Sequence, residues 1–254
     1  MSSPSFILFK YPSRGRPERF FTSLDSLVNN VKDVDYYHVA ITLDDDDATM
    51  NNAEVVERIN SYKNVSIQWG KSDSKIHAIN RNIPDIPFDI LVCHSDDMIF
   101  NLYGFDQCIR VDMNAHFPDF DGLLHYPDQD AKDYLATMYI AGRKWWEFRD
   151  KNIYHPSYKS LWCDNEEMKT AQIMGKYKYC GYQINIHLNP AYGHLPKDQM
   201  FNTQQSDWNH DEQNYYKREA RNFDLHEIEN KRHNLFCLYY FQQLLIVELN
   251  FTLY

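Results

Sequence analysis

The chain reads as an α/β fold on a largely parallel sheet, and three observations point there. Short apolar runs ending in turn or acidic residues alternate with amphipathic stretches across the first half, the pattern of successive βαβ units. Strands of this apolar density are usually central and parallel, covered by helices on both faces. The 254 residues, 43% hydrophobic and 24% charged, are enough to bury a core without disulfide or metal staples.

In order, FILF (6–9) is the first strand, and it stops at Pro12. Pro17 stands where a helix begins, because the first helical residue needs no N–H, and Phe20, Phe21, Leu24, Leu27, Val28 and Val31 follow at helical spacing. YYHVAITL (36–43) is the second strand, closed by Asp44 to Asp47. A helix through NAEVVERINSY (52–62) leads to the strand VSIQW (65–69), and one through SKIHAINRNI (74–83) leads to FDILVCH (88–94). Further on, GLLHY (122–126), ATMYIA (136–141) and YQINIHL (182–188) read as strands. DNEEMKTAQIMG (164–175) is a helix ended by Gly175, and Gln204 to Leu249 is helical, first polar and then apolar. There is no internal repeat or low-complexity tract, so the expected division is a core over 1–203 and a helical extension over 204–254.

The net charge, 26 − 36 = −10, argues against a nucleic-acid binder, whose affinity rests on clustered Lys and Arg. Acidic residues here are better suited to holding a cation. Five cysteines with no CxxC pair suggest neither a disulfide framework nor a zinc knuckle, and fit a reducing, cytoplasmic compartment. The N-terminal apolar run of four residues is far shorter than a signal-peptide core. No window has the roughly 18 apolar residues of a membrane span. The nearest, LFCLYYFQQLLIVEL (235–249), is too apolar for a lone surface helix. It is expected to pack on the core, form a homodimer with a second copy, or lie peripherally on a membrane, although its acidic flanks disfavour an anionic one. The 15% aromatic content, with 19 Tyr, favours the flat amphipathic surfaces that sugar sites use.

Ligands of an open parallel sheet bind beyond the carboxyl ends of its strands, so the residues there carry most information. They are Pro12, Ser13 and Arg14 after the first strand, and Asp44 to Asp47 after the second. Gly70, Lys71, Ser72 and Lys75 follow the third, and His94, Ser95, Asp96 and Asp97 the fourth. One rim thus combines carboxylates with cations, as a metal-bridged phosphate needs. A hard divalent cation such as Mg²⁺ or Mn²⁺ takes one or two carboxylates plus substrate phosphates, and HSDDM (94–98) offers two adjacent Asp. The same pair also serves as an ordinary cap or turn.

The order PSRGRP (12–17), LDDDD (43–47), GKSDSKIHAIN (70–80) and ILVCHSDDM (90–98) resembles the nucleotide-sugar half of GT-A glycosyltransferases, particularly inverting family 2, and the likeness extends over about residues 5–200. It implies a GT-A-like mixed sheet of about seven strands flanked by helices, a nucleotide-sugar half over 1–100, an acceptor half over 101–203 and the C-terminal helical extension. It implies donor binding by Pro12, Ser13 and Arg14, base contact by Asp44 or Asp45, diphosphate contact by Lys75 with Asn80 on the same helix, ribose contact by Asp96, and metal binding by Asp97. His94 replaces the first acid of the usual DXD cluster and reads as a packed strand-end residue, since hard cations prefer oxygen. His187, at a strand end, matches a further metal ligand of several such enzymes, with a packed core histidine as the alternative, and should lie beside Asp97.

On the acceptor side, an inverting transfer needs one carboxylate to take the acceptor proton. Glu166 is the first choice, Asp164 the second, and Glu167 stays open. Capping of the helix start by Asp164 is the alternative use of these acids. Trp145, Trp146, Tyr154, Tyr158 and Trp162 precede them, with Trp145, Trp146 and Tyr158 the expected acceptor contacts. Residues 211–222 read as a solvated helix, with closure over the diphosphate by Lys217 or Arg218 as the alternative. The expected function is metal-dependent transfer of a sugar from a nucleoside diphosphate to a hydroxyl acceptor such as a glycan. A nucleotidyltransferase is the rival enzyme, without a Gly-rich triphosphate loop to support it beyond SRGR (13–16). A non-catalytic carbohydrate-binding protein would need the aromatics and not the acids, and a glycosidase could use two carboxylates.

Overall fold

A computed structural model describes residues 3–228; the apolar segment 235–249 lies outside the described residues. Residues up to Tyr215 form one compact unit, and those from Tyr216 belong to a second. Residue 203 itself lies within the helix Gln199–Ser206.

The chain begins with β1 (Ile7–Pro12), α1 (Pro17–Asn30), β2 (Tyr37–Asp44), α2 (Ala53–Asn60), β3 (Val65–Gly70), α3 (Lys75–Asn80) and β4 (Ile90–Cys93). It continues with β5 (Met98–Phe100), α4 (Phe105–His116), β6 (Leu123–His125), β7 (Tyr139–Gly142), α5 (Arg143–Phe148) and α6 (Cys163–Ile173). Then come β8 (Tyr177–Tyr179), β9 (Asn185–His187), a 3₁₀ turn (Pro190–Tyr192), α7 (Gln199–Ser206) and α8 (Trp208–Glu219). The main sheet has seven strands in the order β3-β2-β1-β4-β7-β6-β8, as the GT-A likeness implied. β1 to β4 are mutually parallel where they pair, β7 is antiparallel to both β4 and β6, and β8 is parallel to β6. β5 and β9 form a separate antiparallel pair.

Local chemistry explains the element starts. Pro17 opens α1, whose buried face is Phe20, Phe21, Ser23, Leu24 and Leu27. The Asn52 and Ser74 side chains accept from the main-chain N–H of Val55 and His77, each at 3.1 Å, and so cap α2 and α3. Gly175, at φ 65°, follows α6 as the left-handed residue that helix ends favour.

The core position of Ser23 links α1 to the acidic loop. Its hydroxyl lies 2.9 Å from the Ser95 carbonyl and 2.7 Å from the Met98 carbonyl, which share its one proton, and its oxygen is left to accept from His94 Nε2 at 2.7 Å. His94 is fully buried, stacked on Phe100 and edge-on to Tyr11, so it packs as a strand-end residue. Burial pushes its pKa down to about 4. The folded value lies below the unfolded one, so His94 costs nothing above pH 6.5, where both states are neutral. As pH falls from about 6.5 to about 4, the unfolded chain gains a proton that the folded chain refuses, and up to about 1.4 kcal/mol of stability is lost per pH unit. Urea unfolding across this range should show that acid-side slope, and His94→Gln should flatten it; an unchanged slope would contradict the assignment.

Candidate active site

The strand-end rim is held by ion pairs from β1 through β4. Ser13, just past β1, donates its main-chain N–H to Thr42 O and its hydroxyl to Asp96 Oδ2 (3.3 Å). Arg14 Nη1 reaches Asp44 Oδ2 (3.0 Å) and Asp46 Oδ1 (2.6 Å). Asp44 is buried, and its other oxygen accepts from Arg81 Nη2 (2.9 Å) and the Ser72 hydroxyl (2.6 Å). Asp45 is exposed at the edge of this group. A Cβ at Gly70 would meet Arg81 Nη1 at 2.8 Å, so glycine lets the guanidinium lie against the end of β3. Pro12 closes β1 as expected.

Sequence reasoning missed Arg16. Its Nη1 pairs with Asp96 Oδ1 at 3.1 Å, while Nε and Nη2 make a two-pronged contact with Asp198 at 2.8 and 2.7 Å. Asp198 caps α7 by accepting from Phe201 N (2.8 Å), so one arginine joins the candidate ribose contact to a helix 182 residues away in sequence. Burial, then the neighbouring Asp97, raises the Asp96 pKa, and Arg16 opposes them. Lys75, exposed at the start of α3, lies close enough to act on the charges of Asp96, Asp97 and Asp164. Asn80 on the same helix is engaged elsewhere: its Oδ1 accepts from Ile153 N (2.9 Å) and Tyr154 N (3.2 Å), and its Nδ2 donates to Tyr154 O (2.7 Å). It anchors a loop rather than offering its amide to a donor.

Pairing of Met98 with His187 across β5 and β9 brings together two residues 90 positions apart: His187 Nε2 lies 3.6 Å from Asp97 Oδ2. Asp97 also accepts from the Ser95 hydroxyl. On the other side of the ring, His187 Nδ1 is 3.1 Å from Asp128 Oδ2. Burial disfavours the His187 charge, but Asp128 and then Asp97 overcome it and raise its pKa to about 9. Burial likewise opposes ionisation of Asp97 and Asp128, and His187 nevertheless pulls both below the usual carboxylate range. Asp128, absent from the sequence expectations, orients the imidazole so that Nε2 faces Asp97.

Two metal–ligand bonds of about 2.1 Å span at most about 4.2 Å, so the 3.6 Å separation leaves room for one Mn²⁺ or Mg²⁺ between Asp97 and His187 once the imidazole gives up its Nε2 proton. Among the described residues no three His, Cys, Asp or Glu side chains group to hold a metal ion. Such an ion would therefore complete its shell from substrate oxygens and water, as Mg²⁺-type sites commonly do.

The acceptor side corrects the expectations most. Glu166 is 1% exposed, with Oε1 accepting from Arg149 Nη2 (3.0 Å) and Oε2 from the Tyr158 hydroxyl (2.8 Å). Glu167 is equally enclosed by Arg149 Nε (3.0 Å) and Trp145 Nε1. These acids and Arg149 form a buried charge cluster that fastens α5 to α6, and neither can reach an acceptor. Trp145, Trp146, Tyr154 and Tyr158 are buried as well and belong to the core, not to an acceptor surface. Asp164 is different, being partly exposed at the start of α6. Burial raises its pKa, while Lys75 and His187 are close enough to pull it back. The residue before α6, Trp162, has φ 61°, and the loop leading to it is pinned by the buried Asp211, which accepts from the N–H groups of Lys159, Ser160 and Leu161 at 2.8 to 3.0 Å. A bulky residue in the left-handed region is strained, and strain of this kind persists only where surroundings over-determine it, commonly at functional sites. Lys217 and Arg218 belong to the second unit, where Arg218 pairs with Asp224 at 2.9 Å.

No family model matches the chain, and no curated protein matches it. Solved structures share the fold: the seven-stranded mixed sheet has the GT-A-type arrangement of the structures that follow. A mannosyltransferase from Pyrobaculum calidifontis in complex with GDP-Man and Mn²⁺ matches with a TM-score of 0.60 and 13% identity over 76% of this chain and 59% of that one. S. aureus TarS 1-349 matches with a TM-score of 0.56 and 11% identity, over 72% of this chain and 60% of that one. Its complex with UDP-GlcNAc matches at 0.55 and 12% identity, over 71% and 57%. The chain thus spans about three-fifths of the length of these neighbours.

Proposed function

We propose that this protein is a divalent-metal-dependent glycosyltransferase that moves a sugar from a nucleoside diphosphate to a hydroxyl acceptor, with inversion. The observation that carries the reading is the Asp97–His187 pair, 3.6 Å apart at the strand-end rim, with Asp164 within electrostatic reach of His187. A neighbour of the same fold holds GDP-Man and Mn²⁺. In this reading the Arg14–Asp44–Arg81 group borders the nucleobase, and Asp96, fixed by Ser13 and Arg16, meets the ribose. Asp97 and neutral His187 would hold the cation, which when bound would supply positive charge to the departing diphosphate. Lys75 adds to that charge. Asp164 takes the acceptor hydroxyl proton as that oxygen attacks the anomeric carbon, and the bond from this carbon to the diphosphate oxygen breaks on the opposite side. Its raised pKa suits a base, which must be basic enough to accept that proton.

A ligand that binds only the folded state raises the melting temperature by mass action. UDP or GDP should therefore do so in the presence of Mn²⁺, and EDTA should cancel the shift. Equal stabilisation with and without EDTA would remove the metal bridge from the account, and no shift with either nucleotide would remove the donor site.

A further inference from the structure

Burial of Trp145, Trp146 and Tyr158 leaves open where an acceptor would rest, and a different aromatic pair answers. Tyr134 and Tyr192 come from loops 58 residues apart, are 55% and 52% exposed, and meet through their hydroxyls at 2.6 Å. Beside them in sequence, Asp130 Oδ2 and His194 Nε2 lie 2.7 Å apart across the same two loops. The Gln129 side chain bonds both the N–H and the carbonyl of His187, and Asp128 holds the His187 ring. The two loops are thus joined at four points, one of which is the imidazole that faces Asp97.

Isolated exposed aromatics need no explanation. These two differ because side-chain ordering has an entropy cost that their burial does not repay, and because Asp128 and Gln129, which precede Tyr134 in the same loop, fix His187. An open aromatic pair flanked by a carboxylate and an imidazole has the chemistry of a sugar site: ring faces for the C–H surface of a pyranose and polar edges for its hydroxyls. Its place fits the reaction. The donor carbon lies near Asp97, and the loop that carries Tyr134 also supplies Asp128 and Gln129, which hold His187 3.6 Å from Asp97.

We propose that Tyr134 and Tyr192, with Asp130 and His194 at their edge, form a pyranose subsite, which makes the acceptor a carbohydrate. This rests on the glycosyltransferase reading above. Saturation-transfer NMR on the full chain, loaded with UDP or GDP and Mg²⁺, with methyl glycosides of glucose, galactose, mannose and N-acetylglucosamine as probes, tests it. At least one glycoside should receive saturation, Tyr134→Ala and Tyr192→Ala should weaken it by about tenfold, and Tyr192→Phe, which keeps the ring, should lose less. Binding of none of the four, or unchanged binding by both alanine variants, would overturn the subsite. Melting curves check that the variants fold. Nucleotide binding is read separately, so failure of the donor reading is distinguishable from failure of the acceptor one.

Discussion

Asp164→Asn is expected to lower sugar transfer by about 100-fold or more, the scale on which general-base catalysis operates, with donor affinity nearly unchanged. The asparagine keeps the shape and the main-chain contact but cannot take a proton. Glu166→Gln should behave in the opposite way. Glu166 lies in a closed cluster with Arg149 and Tyr158, so its loss acts on stability. Arg149 retains Glu167, and the cost should be about 1.5 to 3 kcal/mol, the range for a hydrogen bond to a charged group. Transfer per folded molecule should stay close to that of the wild type. Kinetics paired with urea titration of both variants separates the roles; a fully active Asp164→Asn would remove it as the base.

Asp97→Asn should reduce metal-dependent donor turnover by about 100- to 1000-fold, because several kcal/mol of charge stabilisation on the leaving diphosphate depends on the ion being held there. The fold should survive. The substitution is isosteric, the site is at the rim, and His187 keeps Asp128 as a partner. A melting temperature near that of the wild type, together with lost Mn²⁺-dependent turnover, is the expected pair of results. Near-normal turnover at saturating Mn²⁺ would show that the ion is held elsewhere.

The donor side was legible because strand ends are. The apolar-rich strands β1 to β4 stop at turn or polar residues, and the parallel sheet brings those stops to one edge. Of the partners contributed from far along the chain, His187 beside Asp97 was legible through the family likeness, and the others were not. Arg16 to Asp198 and His187 to Asp128 depend on loop paths, and β5, at three residues, is too short to carry a period. α4 was missed although Phe105, Ile109 and Met113 recur at four-residue spacing along its buried face.

On the acceptor side, sequence clustering of aromatics could not distinguish a surface from a core. RKWWEF turned out to be α5, whose tryptophans pack inward. The choice among Asp164, Glu166 and Glu167 also turns on helix geometry. Residues two apart on a helix point about 200° from one another, so a core-facing Glu166 leaves Asp164 toward the rim. Which face α6 buries depended on Arg149 arriving from α5, and nothing local announced that.

Incubating the protein with a panel of UDP- and GDP-sugars and Mn²⁺, and measuring release of free UDP or GDP with and without a sugar acceptor, tests the central claim most directly. The account predicts release from at least one donor, accelerated by acceptor, abolished by EDTA and absent in Asp97→Asn. No release from any donor, or release indifferent to both EDTA and Asp97, would contradict it.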